Sequence, residues 1–144
     1  MTEESRFLYL DSHSYELLHS ALAAQAAHDG EPIPSFHTAK HVEIDALVKL
    51  PQGTFAGRPL YPTLEEKAAI IFYTINKKQI FLNGNKRMST LALLVFLAIN
   101  DHVLSVSPDD LTAKALWLAN TASLDFPAIK DELVLWIRKH TTRT

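Results

Sequence analysis

The stretch Gln79-Ile80-Phe81-Leu82-Asn83-Gly84-Asn85-Lys86-Arg87 concentrates residues that can do chemistry. Gly84 has no Cβ, so the main chain there can adopt a positive φ or approach a bound group closely. Asn83 and Asn85 place short polar groups on either side of it. Lys86 and Arg87 add two cations, and the planar arginine fork suits phosphate oxygens. An apolar run follows at once, so Asn85 reads as the start of a helix, whose first amides are unpaired donors at the positive end of its dipole. Cations at that end oppose the dipole. Two of them in the first turn cost stability unless an anion, or a carboxylate from elsewhere in the fold, offsets them. Asn-Gly-Asn alone would serve a solvated turn equally well; the adjoining cations favour an anion site.

The elements that must position this turn are helices with recognisable caps. Asp11 or Ser12 caps a first helix to about Ala27, with Tyr15, Leu18, Leu22 and Ala26 at helical spacing, and His28-Asp29-Gly30-Glu31-Pro32 ends it. A second helix spans about Thr38 to Val48. From Leu50 to Tyr61, Pro51, Gly53, Gly57 and Pro59 punctuate an apolar stretch, which reads as a loop or short hairpin. Thr63-Leu64-Glu65-Glu66 is a capping-box pattern, in which the Thr63 hydroxyl takes the Glu66 amide and the Glu66 carboxylate returns to the Thr63 amide. The helix it opens runs from Leu64 to about Lys77. Positions 91 to 99 of the next helix, about Asn85 to Asn100, are entirely apolar, so it should be surrounded on all sides. Ser107-Pro108-Asp109-Asp110 starts a fifth helix to about Thr121, and a sixth runs from about Pro127 to His140 with Ile129, Leu133, Trp136 and Ile137 on one face. Trp117 and Trp136 are expected in the core. The expected fold is an all-α bundle around a central buried helix, in a single domain over residues 1–144.

Composition bounds what such a bundle can do. With 144 residues, 47% hydrophobic and 21% charged, the chain is ordinary globular material for one domain. It has no cysteine, which excludes disulfides, thiolate metal sites and a cysteine nucleophile. A net charge of −2 provides no general attraction to nucleic acid or an anionic membrane. Met1 to Arg6, with Glu3 and Glu4, lacks the order of a signal peptide. The most apolar run, Met88 to Ile99, is shorter than the roughly 20 residues that cross a bilayer. A soluble, cytoplasmic protein is expected. The seven histidines form no tight metal pattern; His37 and His41, at i and i+4, come nearest and lack a third ligand.

The nine residues at 79–87 resemble the signature loop of the Fic/Doc superfamily, His-x-Phe-x-Asp/Asn-Gly/Ala-Asn-Lys/Gly-Arg. Lys86 makes them more similar to the death-on-curing (Doc) branch than to the AMP-transferring Fic branch. The segments Gln52 to Pro62 and Leu64 to Ala69 resemble the flap and leading helix of Doc-like proteins. The resemblance implies that Phe81 anchors the loop in the core and that Asn83 occupies the position whose carboxylate helps hold Mg²⁺. It implies that Gly84, Asn85, Lys86 and Arg87 cradle the phosphates of ATP. A flap comprising Thr54, Phe55, Ala56, Gly57 and Leu60 would position a target segment by strand-like pairing. The implied reaction is transfer of the γ-phosphoryl of ATP to a protein hydroxyl, a translation elongation factor being the target class in Doc-like members; in Fic members AMP is transferred.

One departure bears on all of this. The position of the family's catalytic histidine holds Gln79, and a carboxamide cannot take up a proton near neutral pH. General-base assistance is typically worth about 10²- to 10⁴-fold, so activity should be impaired even if binding survives. Asn83, neutral where a carboxylate holds a hard cation better, should weaken Mg²⁺. His102 lies too far along the central helix to replace the base. No Glu is followed by Gly or Asn, so the self-inhibitory motif of restrained Fic proteins is absent and a separate antitoxin is the expected restraint. The alternative reading is a catalytically inactive module of the same fold that binds a nucleotide or a protein partner.

Overall fold

The computed structural model describes residues 6–30, 32–122 and 125–144. The acidic start with Glu3 and Glu4, and Glu31 in the first helix stop, lie outside the described residues. The helices are α1 (Ser12–His28), α2 (His41–Lys49), α3 (Leu64–Lys78), α4 (Asn85–Ile99), α5 (Pro108–Ala119) and α6 (Phe126–His140). Two small antiparallel pairs accompany them: β1 (Thr54–Phe55) with β2 (Arg58–Pro59), and β3 (His102–Leu104) with β4 (Thr141–Arg143). The fold is all-α in architecture, as expected.

Capping chemistry explains where the helices begin. Asp11 caps α1: its Oδ1 accepts from the Ser14 amide at 2.8 Å, while the Ser14 hydroxyl accepts from the Asp11 amide at 3.2 Å. Ser107 accepts from the Asp110 amide at 3.0 Å, with Pro108 in the first turn of α5. Thr63 accepts from the Glu66 amide at 3.1 Å, but the reciprocal half of the expected box is different. The Glu66 carboxylate accepts from the Thr63 hydroxyl at 3.1 Å and lies 3.7 Å from Lys130 on α6. α2 starts at His41 rather than Thr38. A separate turn of 3₁₀-helix holds Phe36–Thr38, and Ala39 is extended, which keeps the two from fusing.

α4 lies between α1, α3 and α5, with Met88, Ala92, Leu93, Phe96 and Leu97 wholly buried. It is not covered all round, as its uniform apolarity suggested. Leu91, Leu94 and Val95 are half-buried and Ala98 is exposed; at helical spacing these four share one face, which the neighbouring elements cover only in part. α3 is tied to α5 by polar contacts: Lys77 donates to the carbonyls of Leu118 (3.2 Å) and Thr121 (2.6 Å), closing the end of α5. Trp117 and Trp136 are half-buried at the edge of the core rather than inside it, with Lys114 Nζ 4.1 Å and 5.6 Å from their ring centroids. The unanticipated β3–β4 pair fastens the chain end: Thr144 donates to the Asp101 carbonyl at 2.8 Å and Ser105 to the His140 carbonyl at 2.8 Å.

Candidate functional site

The turn between α3 and α4 is held from both sides. α3 ends at Gln79, which is exposed and in the left-handed region at φ 49° and ψ 55°. The next two residues plunge inward: Ile80 is fully buried and Phe81 is 2% exposed. The Lys40 amide pins this inward step by donating to the Ile80 carbonyl at 2.9 Å. Phe81 stacks on the buried ring of His19 from α1 at 4.8 Å. Phe81 therefore anchors the loop in the core, as the resemblance implied.

Asn85 completes the anchor. Its Oδ1 accepts from the Phe81 amide at 2.9 Å and its Nδ2 donates to the Phe81 carbonyl at 2.8 Å, so both carboxamide ends are engaged in shaping the loop. What Asn85 can offer an anion is its main-chain N–H. Gly84 has φ 79°, and a Cβ on it would fall 2.8 Å from Ile33 Cδ1. Glycine is required there both by backbone conformation and by the apolar side chain packed against it. The Asn83 Oδ1 accepts from the Gly84 amide at 2.8 Å.

α4 has no side-chain cap at its N-terminus. Its first internal bond runs from the Met88 amide to the Gly84 carbonyl at 2.8 Å, so the amides of Asn85 and Lys86 have no acceptor within the helix. These amides border a cleft of about 290 Å³ lined by Asn83, Gly84, Asn85, Lys86 and Arg87, with Gln79, Leu82, Asn76 and Ala119 completing the wall. Lys86 and Arg87 thus face one common space. A larger hollow of about 440 Å³ lies at the opposite end of α4, around Arg6, Asn100 and His102. Volume therefore does not single out the loop; the donors around it do.

Two features of this wall were not read from the sequence. Leu82 is 69% exposed, an apolar side chain standing at the cleft mouth. Asn76 is buried; its Nδ2 donates to the Ala115 carbonyl at 3.1 Å, and its Oδ1 has no partner among the described residues. The signal in sequence was a polar residue inside the apolar stripe of α3, three positions before Gln79.

The donor set decides what can be held. Open amides, one ammonium and one guanidinium fit phosphate oxygens. A protein-held Mg²⁺ fits poorly. Among the described residues no carboxylate lines the cleft and no group of three or more His, Asp or Glu clusters, and Asn83 already accepts from Gly84. No histidine lines the cleft either. His37 and His41 precede and open α2, His41 with its ring edge-on to Phe36, and His102 lies beyond the far end of α4. His19 is 2% exposed on the inner side of Phe81, and burial holds its imidazole below the usual histidine range.

The flap residues form a hairpin rather than a loop. Thr54 pairs with Pro59 and Phe55 with Arg58, and Leu60 donates to the Gly53 carbonyl at 2.9 Å below them. Ala56 and Gly57 at the tip both have positive φ, 52° and 78°, the two-residue turn whose twist matches paired strands. Phe55 is 76% exposed and Leu60 48%. None of the hairpin residues lines the 290 Å³ cleft. On the other side of the loop a second groove, about 200 Å³, is lined by Thr38, Lys40, Gln79, Ile80, Phe81 and Leu82. Gln79 and Leu82 border both spaces.

A model of the Fic/DOC family matches residues 9–97, which takes in α1, the hairpin, α3, the loop and most of α4. The chain belongs to the Fic/DOC family. Over 91 residues this Fic/DOC chain is 33% identical to a protein named Toxin Doc from Mycolicibacterium smegmatis, covering 62% of the chain and 70% of that protein. The matched span takes in Gln79 to Arg87, the segment whose resemblance to the family's signature loop has glutamine at its first position.

Proposed function

We propose that this protein is a Doc-like, toxin-type protein. Its loop binds the phosphates of ATP, and it transfers a phosphoryl or AMP group to a hydroxyl of a target protein, such as a translation factor, with turnover impaired by Gln79. The observation that carries this reading is the shared cleft. Lys86, Arg87 and the open amides at the start of α4 line one space beside the Asn83–Gly84 turn. Two cations at a helix N-terminus make electrostatic sense when an anion sits between them. Mg²⁺ would then be held chiefly by the phosphates. The named relative, a Doc toxin, supports a toxin setting with a separate antitoxin as partner. No described helix is long and apolar enough to cross a membrane.

In such a transfer the target oxygen bonds to phosphorus, the bond to the leaving phosphate breaks, and the hydroxyl proton needs an acceptor. Gln79 stands at the cleft edge and cannot accept it. That one fact favours the second reading, a binding module of the same fold that holds a nucleotide or a partner without turnover.

One experiment separates the two. Labelled ATP and Mg²⁺ are added with cell extract to this protein and to its Gln79→His variant. Label on a protein only with the variant supports the transferase; no label with either, while ATP still raises the melting temperature, supports the binding module. Arg87→Ala should weaken ATP binding by about tenfold or more, the scale of a charged hydrogen bond. Unchanged affinity in calorimetry would remove the anion site from both readings.

A further inference from the structure

Lys67, one turn into α3, is fully buried, and no step considered above uses it. A lysine in a protein interior is expensive unless its amine finds partners. Filling the same volume would need only leucine or methionine. The contacts of Lys67 indicate what it does instead. Nζ donates to the Pro51 carbonyl at 2.9 Å. It also stands 4.9 Å from the Phe7 ring centroid and 5.5 Å from that of Tyr9, within cation–π range of both.

Each of these partners leads to another part of the molecule. Pro51 is the buried middle of the 3₁₀ turn Leu50–Gln52, from which the hairpin springs. That turn is closed by the Gly53 amide on the Leu50 carbonyl at 3.0 Å, and the Gly53 carbonyl in turn accepts from Leu60, closing the neck of the hairpin. Phe7 and Tyr9 flank Leu8, whose amide and carbonyl are both gripped by the Asn100 carboxamide, at 2.9 Å and 3.0 Å. Asn100 follows the last turn of α4.

We infer that Lys67 is a positioning residue for the hairpin: a buried latch that fixes the root of Thr54–Pro59 to α3 and to the N-terminal segment moored at the far end of α4. The hairpin itself has only two short strands, which are marginal alone. Its tip is held by local turn geometry; its direction relative to α3 is set at Pro51. The use of the hairpin as a docking strand rests on the proposed function, whereas the latch does not.

Amide hydrogen exchange on the whole chain, without nucleotide, tests the latch separately from that reading. In Lys67→Met, exchange at Gly53 and Leu60 should accelerate about tenfold or more, while Ala92 and Leu93 in α4 change less than about threefold. Equal acceleration at all four sites would mean that Lys67 serves general stability only, and no acceleration at the neck would mean it holds nothing there; either overturns the inference. If Lys67→Met does not fold, Phe7→Ala opens one wall of the cage and keeps the Pro51 bond. Faster exchange at Gly53 and Leu60 than at Ala92 and Leu93 supports the latch in that variant, and its absence overturns it.

Discussion

Gly84 shows how one residue can be read twice. Its place between two asparagines marks a turn in the sequence, and the structure adds Ile33, 51 positions earlier in the chain but packed against it in space. Because φ is 79° and a Cβ would meet Ile33 at 2.8 Å, both strain and crowding oppose any side chain. Gly84→Ala should therefore cost about 2 kcal/mol, of which left-handed strain accounts for about 1–2. The midpoint of urea unfolding measures it; no loss would mean that the loop reshapes freely. Gln79 is the complementary case. It holds φ 49° without being glycine, and histidine is among the residues that tolerate this region. Gln79→His therefore fits the backbone it is placed on, which makes the labelling experiment a test of chemistry rather than of folding. The sequence showed glutamine where the resemblance expects histidine; it did not show that Asn85 has both ends of its carboxamide committed to Phe81, since that depends on how deeply the loop turns inward.

At the scale of elements, the hairpin and the two ends of the loop matter most. Pro51, Gly53, Gly57 and Pro59 made a loop or hairpin legible, because those residues punctuate any regular element. The choice of a hairpin depends on Ala56 and Gly57 both taking positive φ. Alanine is unfavourable at φ 52°, whereas asparagine is tolerated there. Ala56→Asn should thus stabilise the hairpin by a few tenths to about 1 kcal/mol, visible as a raised melting temperature. A lower melting temperature would show that the turn is not held in this conformation. The late start of α2 has a tertiary cause. Ala39 is extended and the Lys40 amide donates to the Ile80 carbonyl, a contact that holds this stretch of chain against the loop and out of the helix that begins at His41.

For the whole molecule, stability should respond to the pairing of His19 with Phe81, since it joins α1 to the loop in the centre of the bundle. Burial lowers the pKa of His19, so in the folded protein it stays neutral at pH values where the unfolded chain already binds a proton. The unfolded state then holds more protons, and stability falls as pH drops below about 6.5, the ordinary histidine value, until the folded imidazole is itself protonated. Above that value the contribution is complete. Urea unfolding between about pH 5 and 8 should show a shallower pH dependence in His19→Leu than in the parent protein; identical slopes would show that this imidazole is not neutral in the fold.

The amino-acid order by itself determined the helices, their caps and the anion-suited turn, because these follow from spacing, caps and charge within a few residues of one another. Asp11, Ser107 and the Asn83 to Arg87 run needed no distant partner to be recognised. Only the tertiary structure decided which side of α4 stays open, that Glu66 turns to the Thr63 hydroxyl and Lys130, that β4 closes on β3, and that Lys67 sits among Phe7, Tyr9 and Pro51. Each of those outcomes depends on groups far apart in the chain meeting in a space whose shape no local pattern encodes.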